Sequence, residues 1–429
     1  MKPLIIRQAT LADGTSGDLY LIDGILADAP AATAEIIDAA ELLALPGLVD
    51  PHAHLREPGN EAAETIATGT LAAARGGYTC VLAMPNTTPA TNGPDEALWL
   101  LDRAAAVSAQ AQVVPIGAIT HDRAGKRLAE LSALAESAAK VRVFSDDGAC
   151  VMDAALLRAA LETVASFDGV IAEHAQDAGL AGAMACCGAD LEACAASHLP
   201  VWPRDAEWRI VERDIALAEA TGARVHICHV STLESLDLIR RAKEHGVRVS
   251  AEATPHHLLL GSDLLIQSTA RNGPDTTYKV NPPLRPTADV MALREAVADG
   301  TIDMIGTDHA PHTSVDKGKP FPAASPGMIG LEQALSVVME TLVNPGMIGW
   351  PDVARLMSHA PATLAGLDNQ GQPLIPGNPA NIVLIDPNRR AVVDRERSAS
   401  KARNNPYHGM NLPDPVVCTI WAGQVTYRR

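Results

Sequence analysis

The chain has 429 residues, a formal net charge of −17, 47% hydrophobic and 20% charged residues, and only 3% aromatics. That length supports one large domain, or a large and a small one, and the composition is that of a soluble globular chain. The negative balance argues against nucleic acid and anionic membrane surfaces as partners, and an anionic small substrate would need positive charge held locally.

Residues 1–46 alternate short apolar runs with turns. Leu4–Ile6, Leu19–Ile22 and Gly24–Leu26 predict small strands, with Ala12-Asp13-Gly14-Thr15 and Asp23-Gly24 as turn signals. The opening Met1–Gln8 run is too short in apolar residues for a secretory signal, and no stretch approaches the length of a membrane span.

From Gly47 the pattern becomes strand and helix in alternation. Strands are expected at Gly47–His52, Tyr78–Met84, Gln112–Gly117, Lys140–Ser145, Gly169–His174, Arg224–His229, Val247–Glu252 and Ile302–Asp308. Helices are expected at Ala62–Arg75, Pro94–Val107, Arg127–Ser137, Asp153–Val164, Asp205–Ala220, Leu233–His245 and Val290–Ala298. Asp153 opens one of these, Ser231 or Thr232 another, and Gly246 closes that one. Eight strands separated by helices predict an α/β fold, a (β/α)8 TIM barrel over residues 47–366. The rival, an open doubly wound sheet, usually carries fewer strands and a Gly-rich first turn, which this chain lacks.

The helical pattern ends near Leu367. Ile375–Asp386 reads as a turn and a strand, and Val416–Trp421 with Gln424–Tyr427 as a hairpin about Ala422-Gly423. Residues 367–429 resemble the first 46 in texture, so both chain ends are expected to form one small β domain flanking the barrel.

In such a barrel, functional groups gather at the C-terminal ends of the strands. The first strand runs from Leu45–Val49 into His52-Ala53-His54, whose alternating positions can offer two imidazoles to one side. Pro51 and Pro58 pin the backbone, and Arg56 shares the parity and brings a fork that suits a carboxylate. Later strands end in Met84-Pro85-Asn86-Thr87, Phe144-Ser145-Asp146-Asp147-Gly148, Glu173-His174, Cys228-His229 and Thr307-Asp308-His309-Ala310-Pro311-His312. Four histidines and up to three carboxylates thus converge on one rim, where core packing has no use for them. Imidazole and carboxylate together suit borderline-hard divalent ions, and such a set suffices for two ions with a shared bridge. A water bridging two ions becomes hydroxide near neutral pH, a nucleophile for an amide carbonyl.

Simpler readings cover the other candidates. A His-x-His pair alone is weak evidence for a metal. His226 and His245 are expected to be satisfied buried histidines. His256-His257, after the seventh strand, either lines the pocket or packs beside it. His121, His198, His359 and His408 read as ordinary surface or packing residues. The seven cysteines form no regular framework, which predicts reduced thiols and a cytoplasmic chain. Cys186, Cys187 and Cys194 sit in Ala- and Gly-rich surroundings that read as plain helix or loop, not as a thiolate cluster.

Taken together the motifs resemble the amidohydrolase superfamily and, within its cyclic amidases, the type I dihydroorotases. The resemblance rests on Asp50-Pro51-His52-Ala53-His54-Leu55-Arg56-Glu57-Pro58-Gly59, Met84–Thr87, Phe144–Gly148, His226–Thr232, Lys279-Val280-Asn281-Pro282-Pro283-Leu284-Arg285 and Thr307–His312, in order over about residues 45–335. It implies two zinc ions, one held by His52, His54 and Asp308 and the second by His174 and His229. Many relatives bridge the ions with a carbamylated lysine, whereas type I enzymes with this Asp-Asp-Gly run use an aspartate. The spacing to His174 favours Asp147 over Asp146, and Lys140, the only nearby lysine, sits at the start of its strand.

By the same resemblance Arg56, Asn86 and His312 hold a substrate carboxylate and Asn281 lines the pocket. Pro326 and Gly327 belong to a mobile loop, Ser325–Glu332, whose backbone closes over the ring. The implied reaction is the reversible interconversion of L-dihydroorotate and N-carbamoyl-L-aspartate in pyrimidine synthesis, through metal-bound hydroxide with Asp308 as general acid and base. Hydantoinase, dihydropyrimidinase or allantoinase activity is the nearest alternative, but those substrates lack the ring carboxylate that Arg56 would serve. An inactive structural partner of aspartate transcarbamoylase would have lost metal ligands, and none is visibly lost. Association of an active enzyme with that transferase, or of two copies of the chain, stays open.

Overall fold

The structure, a computed structural model, describes residues 2–429; Met1 of the opening run lies outside the described residues. All eight expected parallel strands form. They are Leu48–Ala53 (β1), Tyr78–Ala83 (β2), Gln112–Pro115 (β3), Val143–Phe144 (β4), Val170–Glu173 (β5), Arg224–Ile227 (β6), Val249–Ala253 (β7) and Met304–Ile305 (β8).

β1, β2 and β3 pair in parallel, as do β4 to β8 in chain order. Two single bridges join these sheets, Gly117 to Phe144 between β3 and β4 and Ala53 to His309 between β1 and the end of β8. Glycine is required at 117, since a Cβ there would lie 2.8 Å from the Phe144 ring. Every residue of β1 and β2 is buried because both faces are covered, and β2 accordingly reads as a nearly continuous apolar run. One core cluster includes Val49, Cys80, Leu82, Val143, Val170 and Met304 from the strands, with Ile116 just past β3. Helices pack against the strands. Leu233–Glu244, for example, buries Leu236, Ile239 and Ala242 at three-residue spacing.

The caps follow the sequence. Asp153 accepts the Ala155 and Leu156 N–H groups, Thr232 is the N-cap of the next-but-one long helix, and Gly246 follows the His245 C-cap at φ +76°. Two helix starts differ by four residues. The first helix starts at Ile66, not Ala62, because Thr65 and Thr68 form a capping box while the Glu64 carboxylate turns inward to His309 and Ser400. The third covers only Leu131–Glu136, because Leu128 is drawn into a bridge with Thr120. A helix at Ser262–Asn272 was not anticipated, and the helical pattern that ends near Leu367 includes Ala334–Val338 and Ala360–Leu364.

Both chain ends contribute to one eight-stranded sheet. Its order is Gln424–Arg428, Val416–Trp421, Ile382–Ile385, Leu43–Pro46, Leu4–Leu11, Ser16–Ile22 and Ile25–Ala27, with Glu35–Asp38 also on Leu4–Leu11. Among the described residues no helix is long and apolar enough to cross a membrane.

The expectation of reduced thiols needs one correction. Cys187 and Cys194 form a disulfide, because the helix Leu191–Ala196 brings their Cα atoms to 6.0 Å, within the span such a bond requires. Cys80, Cys150, Cys186, Cys228 and Cys418 are free.

Candidate active site

The ends of β1, β4, β5, β6 and β8 bring six of the expected residues into one buried cluster. His52, His54, Asp147, His174, His229 and Asp308 are each 5% exposed or less. Asp147 is at the centre. Its Oδ1 lies 3.4 Å from His52 Nε2, 3.4 Å from His174 Nδ1 and 3.6 Å from His229 Nε2, and its Oδ2 lies 3.4 Å from His54 Nε2. Asp308 Oδ1 lies 3.0 Å from His54 Nε2 and 3.5 Å from His52 Nε2.

The neighbours fix which nitrogen each imidazole turns inward. His52 Nδ1 is 2.6 Å from Glu252 Oε1, so that nitrogen carries the proton. His52 Nε2 is then left buried without a hydrogen-bond partner, facing Asp147 and Asp308. His54 Nδ1 donates to Asn86 Oδ1 at 3.0 Å. His174 Nε2 donates to Gln176 Oε1 at 2.8 Å, which leaves Nδ1 only 2.9 Å from His229 Nε2. Inward lone pairs with outward protons are the donor arrangement that a metal ion takes. His52 with His54 and Asp308, and His52 with Asp147 and His229, could each hold an ion. A third grouping, His52 with Cys228 and Glu252, lies on the Nδ1 side, where Glu252 already takes the proton.

Charge follows this geometry. Burial raises the Asp147 carboxyl, but His52, His174 and His229 hold it well below the usual carboxylate range. Burial likewise opposes ionisation of Asp308, and His54 and His52 pull it down. Burial together with the Arg56 charge lowers His54.

Asp146 and Lys140 lie apart from the cluster. The Asp146 carboxylate accepts Ile119 N–H at 2.9 Å, Thr120 N–H at 3.0 Å and the Thr120 hydroxyl. Lys140 is exposed at a turn before β4.

Around the cluster, Arg56 Nε donates to Pro311 O at 3.1 Å. Asn86 Nδ2 faces Asp147 Oδ2 at 3.5 Å, and Asn281 Nδ2 donates to Gln176 Oε1 at 2.7 Å. His312 Nε2 donates to Pro326 O at 2.8 Å. Burial and the Arg56 and Lys317 charges push His312 down to about 3. Gly327 has φ +146°, and its N–H donates to Lys279 O at 2.9 Å.

His226 is a satisfied buried residue, bonded to Ser250 Oγ at 2.9 Å and to Glu252 Oε2 at 3.2 Å. His245 is exposed, which corrects its expected burial; its ring bonds Arg241 O at a helix end. His257 spans Thr254 and Pro282 O, whereas His256 Nε2 is buried without a partner.

Comparison with known proteins gives the lineage. A family profile described as Dihydro-orotase-like matches residues 41–235. Proteins named dihydroorotase from Leifsonia xyli subsp. xyli and Streptomyces coelicolor are each 49% identical. They align over 99% of this chain and over 96% and 98% of their own. The dihydroorotase of Mycobacterium tuberculosis is 44% identical over 100% of this chain and 99% of its own. The chain belongs to the dihydroorotase family. In fold it is similar to the L-hydantoinase (dihydropyrimidinase) of Arthrobacter aurescens, with TM-score 0.85 at 24% identity, covering 100% of this chain and 96% of that one. Dihydropyrimidinase from Brevibacillus agri NCHU1002 has TM-score 0.85 at 22% identity, covering 99% and 95%.

Three residues of this dihydroorotase-family site escaped the sequence reading. Glu252, on β7, accepts from His52, His226 and the His229 N–H. Its signal was a carboxylate inside an apolar strand, and Gly306 leaves it room, since a Cβ there would overlap the carboxylate. Gln176, two residues past His174, had no signal. Arg123, in the loop after β3, donates to Asp147 O at 2.7 Å and keeps a buried, unpartnered Nε.

Proposed function

We propose that the chain interconverts L-dihydroorotate and N-carbamoyl-L-aspartate, with two zinc ions in the cluster. The observation that carries this reading is the placement of the Asp147 carboxylate among four imidazoles, with Asp308 beside two of them. His52, His54 and Asp308 would hold one ion, His174 and His229 the other, and Asp147 would be shared. The partnerless His52 Nε2 and the inward His174 and His229 nitrogens fit that assignment. When bound, the ions supply Lewis-acid polarisation of an amide carbonyl and lower the pKa of water.

The protein's own groups do the rest. Asp308, held as a carboxylate, takes a proton during attack and passes it to the departing ring nitrogen. The Arg56 guanidinium anchors the substrate carboxylate and so orients the ring. Asn86 Nδ2, Asn281 and His312 complete that pocket, and the Pro326-Gly327 backbone closes over the ring. His312 must release Pro326 O, or use its other nitrogen, to reach substrate.

In this reading the parallel strands make one closed (β/α)8 barrel over residues 47–366. Residues 1–46 and 367–429 form its flanking β domain. The single bridges at Gly117 and Ala53 and the shared sheet of the chain ends support it. We place the protein in the cytoplasm, where its five free cysteines would stay reduced.

Purified protein should open the L-dihydroorotate ring, lose that activity on chelation, and leave hydantoin and allantoin untouched. Turnover of hydantoin or allantoin instead would discard the substrate. Metal bound without any turnover would direct the assay to mixtures with aspartate transcarbamoylase, and sedimentation of the same sample tests for a homodimer.

A further inference from the structure

We propose that Asn404, which lies on the C-terminal segment outside the parallel strands, is a positioning residue for substrate binding. It holds the Asp308–His312 segment against the Pro326–Ile329 loop. The link to substrate rests on the dihydroorotase reading above; the staple itself rests only on geometry.

Asn404 is 5% exposed. Its Oδ1 accepts the His312 N–H at 3.2 Å. Its Nδ2 donates to Ala310 O at 2.9 Å and to Gly327 O at 3.1 Å. Its own carbonyl accepts the Ile329 N–H at 3.1 Å. Both amide donors and both carbonyl-type acceptors of one residue are therefore spent on two segments that meet at the site. The direct backbone bond between those segments is Ala310 N–H to Met328 O at 2.7 Å. Gly327 sits at φ +146°, a conformation the chain does not hold by itself and that an external bond to its carbonyl can fix.

The amide is chemically specified. An aspartate would turn a carboxylate oxygen toward two carbonyl oxygens, and an apolar residue would orphan three buried backbone groups. The same C-terminal segment acts a second time nearby. Ser400 Oγ and Lys401 N–H donate to Glu64, Glu64 Oε2 lies 3.3 Å from His309 Nε2, and His309 Nδ1 accepts the Gly330 N–H at 3.2 Å. The loop is thus held at Gly327 and Ile329 by Asn404 itself, and at Gly330 through His309, which Glu64 and the Ser400–Lys401 segment support. Asn404 sets how far the Pro326-Gly327 backbone stands from Asp308 and His312.

The test compares wild type with Asn404→Ala, Asn404→Asp and Asn405→Ala. Asn404→Asp keeps the volume and the acceptor for His312, so it reports even if Asn404→Ala does not fold. Asn405 is as deeply buried but bonds Gln333 and the Tyr407 N–H, so it controls for general destabilisation. The readouts are amide hydrogen exchange in peptides covering 309–313 and 325–332, metal content, and KM and kcat for dihydroorotate.

Support is faster exchange in both peptides with the Asn404 variants alone, a KM raised about 10-fold, a smaller change in kcat, and metal content unchanged. Unchanged exchange overturns the staple. Faster exchange with unchanged KM, or a fall in kcat alone, overturns its positioning role. If wild-type protein does not open dihydroorotate while exchange still accelerates in the variants, the staple stands and the substrate reading fails instead.

Discussion

Replacing Glu252 with glutamine tests whether the cluster is a metal site organised from behind. Glu252 and His52 are both 0% exposed, and His52 Nδ1 lies 2.6 Å from Glu252 Oε1. The carboxylate also accepts from His226 Nε2 at 3.2 Å and from the His229 N–H at 3.3 Å. Burial works against its ionisation, yet His52 and His226 hold it well below the usual range, so it is a full negative charge at neutral pH. Glutamine keeps the shape and can keep one acceptor for His52. It removes the charge that makes the imidazole a better donor, and it sets an NH2 group against N–H groups. Losing such a partner of a metal-binding histidine weakens metal affinity about 10- to 100-fold, or roughly 1.4–2.8 kcal/mol. The upper half of that range is expected here, because the carboxylate serves two imidazoles and a backbone donor. Zinc affinity is read by competition with a chelator of known strength, with circular dichroism as a check on folding. A folded Glu252→Gln protein whose zinc affinity stays within about twofold of wild type would refute the assignment of His52 Nε2 as a ligand, since a ligand's basicity sets its affinity.

Asp147→Asn should lose bound metal and fall below about 1% of wild-type activity, because several kcal/mol of charge stabilisation go with the ion. Lys140→Ala, at an exposed turn, should keep both, and the opposite pattern in paired metal and activity assays would make the lysine the bridging group. Gly327→Ala would place a Cβ 2.8 Å from both His312 Nε2 and Ala310 Cβ at φ +146°. Steady-state kinetics should then show kcat/KM for dihydroorotate about 10-fold lower or worse, because such strain costs about 1–3 kcal/mol. His312 is a base whose folded pKa, about 3, lies below the unfolded value near 6.5. Between those values the unfolded chain binds the extra proton, so stability rises with pH through this window and is lost as pH falls toward 3. His312→Gln should flatten that limb in urea midpoints measured from pH 4 to 7, and an unchanged slope would show that His312 takes no part in it.

Much of the site was legible in the chain because its chemistry is written in short runs at strand ends. Alternation along an extended strand was enough to put His52 and His54 on one side, and both Nε2 atoms do reach Asp308 Oδ1. The eight parallel strands were legible because most of their residues are buried and apolar and helical patterns lie between them. The start of the first helix was not legible at Ala62. Local propensity favours helix there, and only the distant Ser400 and His309 give Glu64 a reason to turn away.

By itself the sequence determined which residue types stand at the ends of which strands, and therefore the kind of chemistry the rim can do. Tertiary structure supplied the physical reason that separates adjacent candidates. Asp146 and Asp147 are the same residue type one position apart; the resemblance and the spacing to His174 favour Asp147, and only the fold shows what each carboxylate meets. Asp146 is consumed by the Ile119 and Thr120 backbone, which leaves Asp147 to face the imidazoles. The roles of Glu252 and Asn404 likewise are not written locally, because each acts on residues far from it in the chain, as Gln176 does in accepting from Asn281. Hydrogen bonds need atoms about 3 Å apart, and across such separations only the folded chain brings them there.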